Sequence, residues 1–77
     1  MDNEAYSDLD DIIYCGRTAG YKITFILSPY GDLHNSFKWS IFYKDRWVGS
    51  GVGDSRTCAK NMRHVLEADS PYKERWA

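Results

Sequence analysis

Two stretches of the chain alternate between inward-suited and outward-suited residues. In "YKITFIL", Tyr21, Ile23, Phe25 and Leu27 stand against Lys22, Thr24 and Ile26; in "FKWSIFY", Phe37, Trp39, Ile41 and Tyr43 stand against Lys38, Ser40 and Phe42. A period of two belongs to a strand with one buried face, so each stretch predicts a strand with its odd-numbered residues turned inward. The intervening "SPYGDLHNS" is rich in turn formers. "YKDRW" then makes a tight link to a third strand, "RWVGSGV", and three strands joined by short links predict an antiparallel meander.

Helical spacing frames the strands. Leu9, Ile12 and Ile13 fall at i, i+3 and i+4, and Ser7 followed by Asp8, Asp10 and Asp11 reads as a helix start, because carboxylates complement the exposed N–H groups of a first turn. A short helix ending around Gly16 to Gly20 is expected. After the third strand, Gly53-Asp54-Ser55 supplies an N-cap, and Cys58, Met62, Val65 and Leu66 repeat at helical spacing as the face that meets the sheet. Ser70-Pro71 closes this helix, since a residue before proline avoids helical geometry. The predicted fold is therefore α+β, in the order α-β-β-β-α, with a three-stranded antiparallel sheet packed against two helices. It forms one domain over residues 1–77, with a core from about 7 to 69, Trp39 and Leu66 inside it, and residues 70–77 as a tail.

Composition narrows the setting. A chain of 77 residues buries only roughly 60% of its unfolded surface, and its three Trp and six Tyr supply large buried areas per side chain. Cys15 and Cys58 have neither metal-ligand spacing nor a disulfide framework around them, which points to a reduced, intracellular setting, cytoplasm or nucleus. No run approaches 18 apolar residues, and "MDNEAYSDLDD" is the reverse of a basic signal-peptide start, so neither membrane insertion nor export is expected.

The net charge of −1 hides a division. Residues 1–20 carry Asp2, Glu4, Asp8, Asp10 and Asp11 against Arg17 alone, whereas residues 21–66 carry Lys22, Lys38, Lys44, Arg46, Arg56, Lys60 and Arg63 against Asp32, Asp45 and Asp54. On the last helix, Arg56, Lys60 and Arg63 recur at i, i+4 and i+7 on one face, away from Met62 and Val65. Arg56 and Lys60 lie about 6 Å apart along the axis, comparable to neighbouring phosphates of a nucleic-acid strand. The positive end of the helix dipole points the same way.

No catalytic constellation accompanies this face. Cys58 and His64 are six residues apart, about 120° around the helix and more than one turn along it, which rules them out as a nucleophile pair by themselves; Cys58 is a small core residue. His34, His64 and the scattered Asp residues lack a metal-binding spacing. A binding module without metal or cofactor is expected, not an enzyme.

The element order, together with the run Gly51-Val52-Gly53-Asp54-Ser55-Arg56-Thr57-Cys58-Ala59-Lys60, resembles the double-stranded RNA-binding domain family from about Ser7 to Glu67. The resemblance implies recognition of duplex RNA by shape and phosphate backbone, largely independent of base sequence, in RNA processing or silencing. Arg56 and Lys60 match two of the family's three phosphate-bridging bases, Thr57 replaces the middle lysine with an uncharged hydroxyl, and Arg63 adds a base one turn on. Gly31-Asp32-Leu33-His34 resembles the family's minor-groove loop without its usual proline, which implies that His34 touches 2′-hydroxyls with Asn35 as a neighbouring donor. The short link from first helix to first strand is similar to variant domains attached to ribonuclease III and Dicer-type enzymes, so a place within a larger RNA-processing enzyme is implied as well. The acidic first helix departs from the family pattern. It favours, with Thr57 and the aromatic Tyr72 and Trp76, the alternative that the same fold serves as a protein-interaction or homodimerisation module with little RNA affinity. A small phage-type inhibitor with a β-β-β-α core fits the length but not the helix start.

Overall fold

The alternating segments become strands and the 3.6-residue patterns become helices. The computed structural model describes residues 3–27 and 36–76, with side chains from residue 8 onward in the first of these segments. Helix α1 (Asn3–Thr18) precedes strands β1 (Tyr21–Leu27), β2 (Phe37–Tyr43) and β3 (Arg46–Gly53), and helices α2 (Ser55–Glu67) and α3 (Ser70–Trp76) follow. The sheet is antiparallel in the order β1-β2-β3. The α+β architecture expected from the pattern is present, with one further helix at its end.

Strands β1 and β2 pair without interruption from Tyr21↔Tyr43 to Leu27↔Phe37. Between β2 and β3 the register slips once: Ile41 faces Gly49, but Phe42 faces Trp47, which leaves Val48 as an extra residue on β3. A bulge of this kind moves the alternation by one position. Trp47 therefore points to the opposite face from Gly49 and Gly51, although an unbroken strand would put all three on one side.

A single core lies between one sheet face and two helices. Tyr21, Ile23, Trp39 and Ile41 from the sheet meet Leu9 and Ile12 of α1 and Cys58, Ala59, Met62 and Leu66 of α2. Burying a large apolar side chain contributes about 1.5–3 kcal/mol. The glycines of β3 shape this interface: a Cβ at Gly49 would stand 2.9 Å from Val65 Cγ1, and one at Gly51 2.8 Å from Trp39 Nε1. Their missing side chains make room for α2 and for the indole. Toward the far end of β1 the core runs out. Phe25 stacks on Phe37 with centroids 4.8 Å apart, and Leu27, expected inward, is 63% exposed.

Helix α1 starts at Asn3 rather than near Ser7. Glu4 and Ala5 favour helix, and no breaker separates them from Leu9. Asp8, Asp10 and Asp11 consequently sit inside the helix, exposed, and not in its first turn. The helix ends as Gly20 takes φ +102° and donates its N–H to Arg17 O at 3.0 Å, a conformation that glycine adopts without penalty.

Residues 70–76, expected as a tail, form α3. Pro71 does follow the end of α2, but it also stands in the first turn of a new helix, where a missing N–H costs nothing. The Tyr72 N–H donates to Tyr21 Oη at 3.1 Å, and Trp76 Nε1 donates to Cys15 O at 3.1 Å. Tyr21 donates in turn to the Asp69 carboxylate, which also accepts from Arg46 at 2.9 and 3.2 Å. Burial, with the bond to Asp69, raises the Tyr21 phenol well above its ordinary pKa, whereas the Arg46 hydrogen bonds lower that of Asp69. Tyr72 and Trp76, counted in the sequence toward a protein partner, are engaged within the chain.

Candidate nucleic-acid interface

The basic face of α2 is positioned by a cap at one end and by the core along its length. Asp54, with φ −73° and ψ 171°, is the N-cap; its carboxylate accepts the Thr57 N–H at 2.7 Å, and its carbonyl accepts the Cys58 N–H at 2.9 Å. These bonds fix where the helix begins. The Thr57 N–H, supported by the Thr57 hydroxyl, holds the Asp54 carboxyl below the usual range. Cys58, Ala59, Met62 and Leu66 are buried, which turns Arg56, Lys60 and Arg63 outward together on the other side.

The three bases differ in what surrounds them. Arg56 and Lys60 are exposed, and neither has a carboxylate within ion-pair distance among the described residues. Arg63 Nη2 lies 3.9 Å from Asp8 Oδ1 on α1. Helix α1 therefore borders the basic face with a carboxylate, and part of Arg63's charge is answered within the chain. Thr57 is also engaged, through its bonds to Asp54. Asp54 places a negative charge at the helix start as well, so anion attraction there rests on the Arg56 and Lys60 side chains more than on free backbone N–H groups.

Arg56, Lys60 and Arg63 are thus brought to one helix face, with Thr57, exposed and bonded to Asp54, at its edge. His34 and Asn35 lie outside the described residues. Cys58 is buried, and its thiol points to the Gly53 carbonyl at 3.4 Å; burial raises its pKa, which disfavours the reactive thiolate. Among the described residues no three His, Cys, Asp or Glu side chains gather as a metal site would require, and no helix is long and apolar enough to cross a membrane.

A second exposed polar and aromatic surface was only half visible in the sequence. The outward positions of β1 and β2 are those that the alternation names, Lys22, Thr24 and Ile26 beside Phe42, Ser40 and Lys38. Trp47 joins them only because of the β3 bulge, for which the sequence carries no plain signal.

Compared with protein-family models, curated proteins and solved structures, the chain matches none.

Proposed function

We propose that this chain is a binding module for double-stranded RNA, recognising the phosphate backbone through the exposed face of α2, and that it acts in RNA processing or silencing without catalysing a reaction itself. The observation that carries the reading is the outward pairing of Arg56 and Lys60 on a capped, core-anchored helix, with no carboxylate within ion-pair distance of either among the described residues. Two cations about 6 Å apart along a rigid axis suit successive phosphates, and Arg63 extends the line by a further turn. Such contacts position a protein on a duplex without reading bases. Preference for RNA then comes from A-form groove shape and 2′-hydroxyls.

The test is titration of the purified chain with labelled duplex RNA of about 16 base pairs or more, duplex DNA and the Arg56→Ala/Lys60→Ala double variant. Binding that favours RNA over DNA irrespective of base order, and a double variant that binds more weakly with a salt dependence flatter by about 0.7–0.9 per lost contact, are expected. Unchanged affinity and slope in the variant would remove α2 from the RNA surface. A chain that ignores duplex RNA at low salt and instead dimerises or captures a protein would establish the interaction-module reading.

A further inference from the structure

The two helices cover one face of the sheet, and among the described residues nothing packs on the other. Its outward side chains form a regular grid in three rows. Lys22, Phe42 and Trp47 lie side by side across the strands, then Thr24, Ser40 and Ser50, then Ile26, Lys38 and Val52. Adjacent members of a row stand about 5 Å apart. The first row is at the end of the sheet where residues 44–45 turn, away from the link between β1 and β2.

That row is unusual for an exposed surface. Trp47 is 59% exposed on an edge strand, and Phe42 is half-buried beside it on the central strand. Lys22 and Lys44 join Thr24, Ser40 and Phe42 around a shallow depression of ≈ 410 Å³ with Asp45 at its rim. Thr24 and Ser40 hydroxyls bond each other at its floor, which leaves donor and acceptor capacity for a third group.

Charge decides what such a face accepts. Lys22, Lys38 and Lys44 stand against Asp45 alone, so a second copy of the chain laid face to face would oppose lysine with lysine. An anionic partner with flat apolar groups complements both components, the cations and the rings. We propose that this outer sheet face binds single-stranded nucleic acid, with bases stacked on Trp47 and Phe42, phosphates held by Lys22, Lys44 and Lys38, and base edges meeting the hydroxyl row. Exposed aromatics amid lysines on an open sheet are the features that hold unpaired bases, because every base offers a π-face whatever its identity. The surface is separate from the α2 face, and its occupancy does not depend on duplex binding.

The experiment measures anisotropy of labelled oligouridine and oligothymidine of about eight nucleotides, neither able to self-pair, against the full chain. The parent is expected to bind at low salt, and the tighter of the two oligonucleotides identifies the strand chemistry. Trp47→Ala should weaken binding by about tenfold, the loss of one stacked base, and Lys22→Ala should weaken it while flattening the salt dependence. Both positions are exposed, so the melting temperature should hold. Arg56→Ala/Lys60→Ala should leave oligonucleotide binding intact, which separates this surface from the duplex face. Absence of binding, or equal affinity in Trp47→Ala, would overturn the proposal. Displacement by polyglutamate as effective as by oligonucleotide would overturn it in favour of an acidic protein partner, and a dimer dissolved by Trp47→Ala in favour of self-association.

Discussion

The Trp39 indole lies against the backbone of Gly51, on the neighbouring strand and directly opposite in register. A Cβ at Gly51 would meet the ring at 2.8 Å from Nε1 and 3.0 Å from Cε2 and Cζ2. The ring is 2% exposed and fixed between sheet and helix, so it has little room to retreat. Gly51→Ala should therefore destabilise the domain by about 1–3 kcal/mol, the usual effect of overpacking. Ser50→Ala, on the opposite face, should change little. Urea denaturation of the two variants reads the difference, and a Gly51→Ala variant as stable as the parent would mean that the indole does not sit against β3.

Truncating the indole itself removes the other half of the same contact. Trp39→Ala and Leu66→Ala both empty enclosed volume, with Leu66 at 0% exposure, and each should cost about 2–5 kcal/mol. In a domain of this size that is a large share of the total stability. Thermal melts showing either variant at the parental midpoint would contradict the packing described here.

Asp69 links the acid stability of the domain to its last helix. Its carboxylate accepts from Arg46 and from the buried Tyr21 hydroxyl, and its pKa is lowered, first by the Arg46 hydrogen bonds. A depressed folded-state pKa means that the unfolded chain binds the proton more readily. The stabilisation is thus fully present above the ordinary carboxylate value, about 3.9, and is lost as the pH falls through the lower folded value. Asp69→Ala should remove that part of the acid transition, and at neutral pH should cost about 1–3 kcal/mol for the Tyr21 donor left without an acceptor. Denaturation midpoints between pH 2 and 7, compared with the parent, give both quantities; parallel curves would show that Asp69 does not contribute.

The same network shows where sequence patterns stop being informative. Alternation located β1 and β2, because residues such as Ile23 and Ile41 turn to the core and Lys22 and Lys38 to solvent, whereas β3 was placed by the short link before it. Helical spacing placed Cys58, Met62 and Leu66 correctly for the same reason. The hydrogen bonds of Tyr72 and Trp76 are not legible in the sequence because their partners, Tyr21 and Cys15, lie 51 and 61 positions away, and no local pattern encodes such contacts. The early start of α1 was missed because Ser7 and its carboxylates imitate a cap, a motif that competes with continued helix only where the preceding residues disfavour helix. Trp47 was hidden by one extra residue, Val48, whose effect on parity depends on pairing with β2 and not on β3 alone. The basic face of α2 was legible as a pattern, but the nearness of Asp8 to Arg63 was not, since it depends on how two helices far apart in sequence pack together.

Tyr72 provides a test of whether α3 is part of the folded unit. Its ring stands 6.4 Å from that of Tyr21, centroid to centroid, and packs against the edge of the core. Tyr72→Ala should lower stability by roughly 1–2 kcal/mol, less than a core truncation because the side chain is only half-buried. If calorimetry finds no change, α3 does not contribute to the cooperative transition.

Asp8 and Arg63 test the duplex face from its acidic border. Their side chains are 3.9 Å apart and each about half exposed, 56% and 48%, so the pair contributes little to folding, at most about 1 kcal/mol. Its effect on a bound polyanion is another matter. Asp8 sits where it answers one of the three bases on the α2 face and adds repulsion to any phosphate approaching Arg63. Asp8→Asn should therefore raise duplex RNA affinity a few-fold while leaving the melting temperature nearly unchanged, and should steepen the salt dependence by about 0.7–0.9 if Arg63 gains a phosphate contact. Asp10→Asn makes the same change in net charge from a different side of α1, where Asp10 lies near Tyr14 and Arg17. An increase confined to Asp8→Asn locates the effect at Arg63; equal increases in both would assign it to the overall charge of α1; and no increase in either would place Arg63 outside the RNA surface.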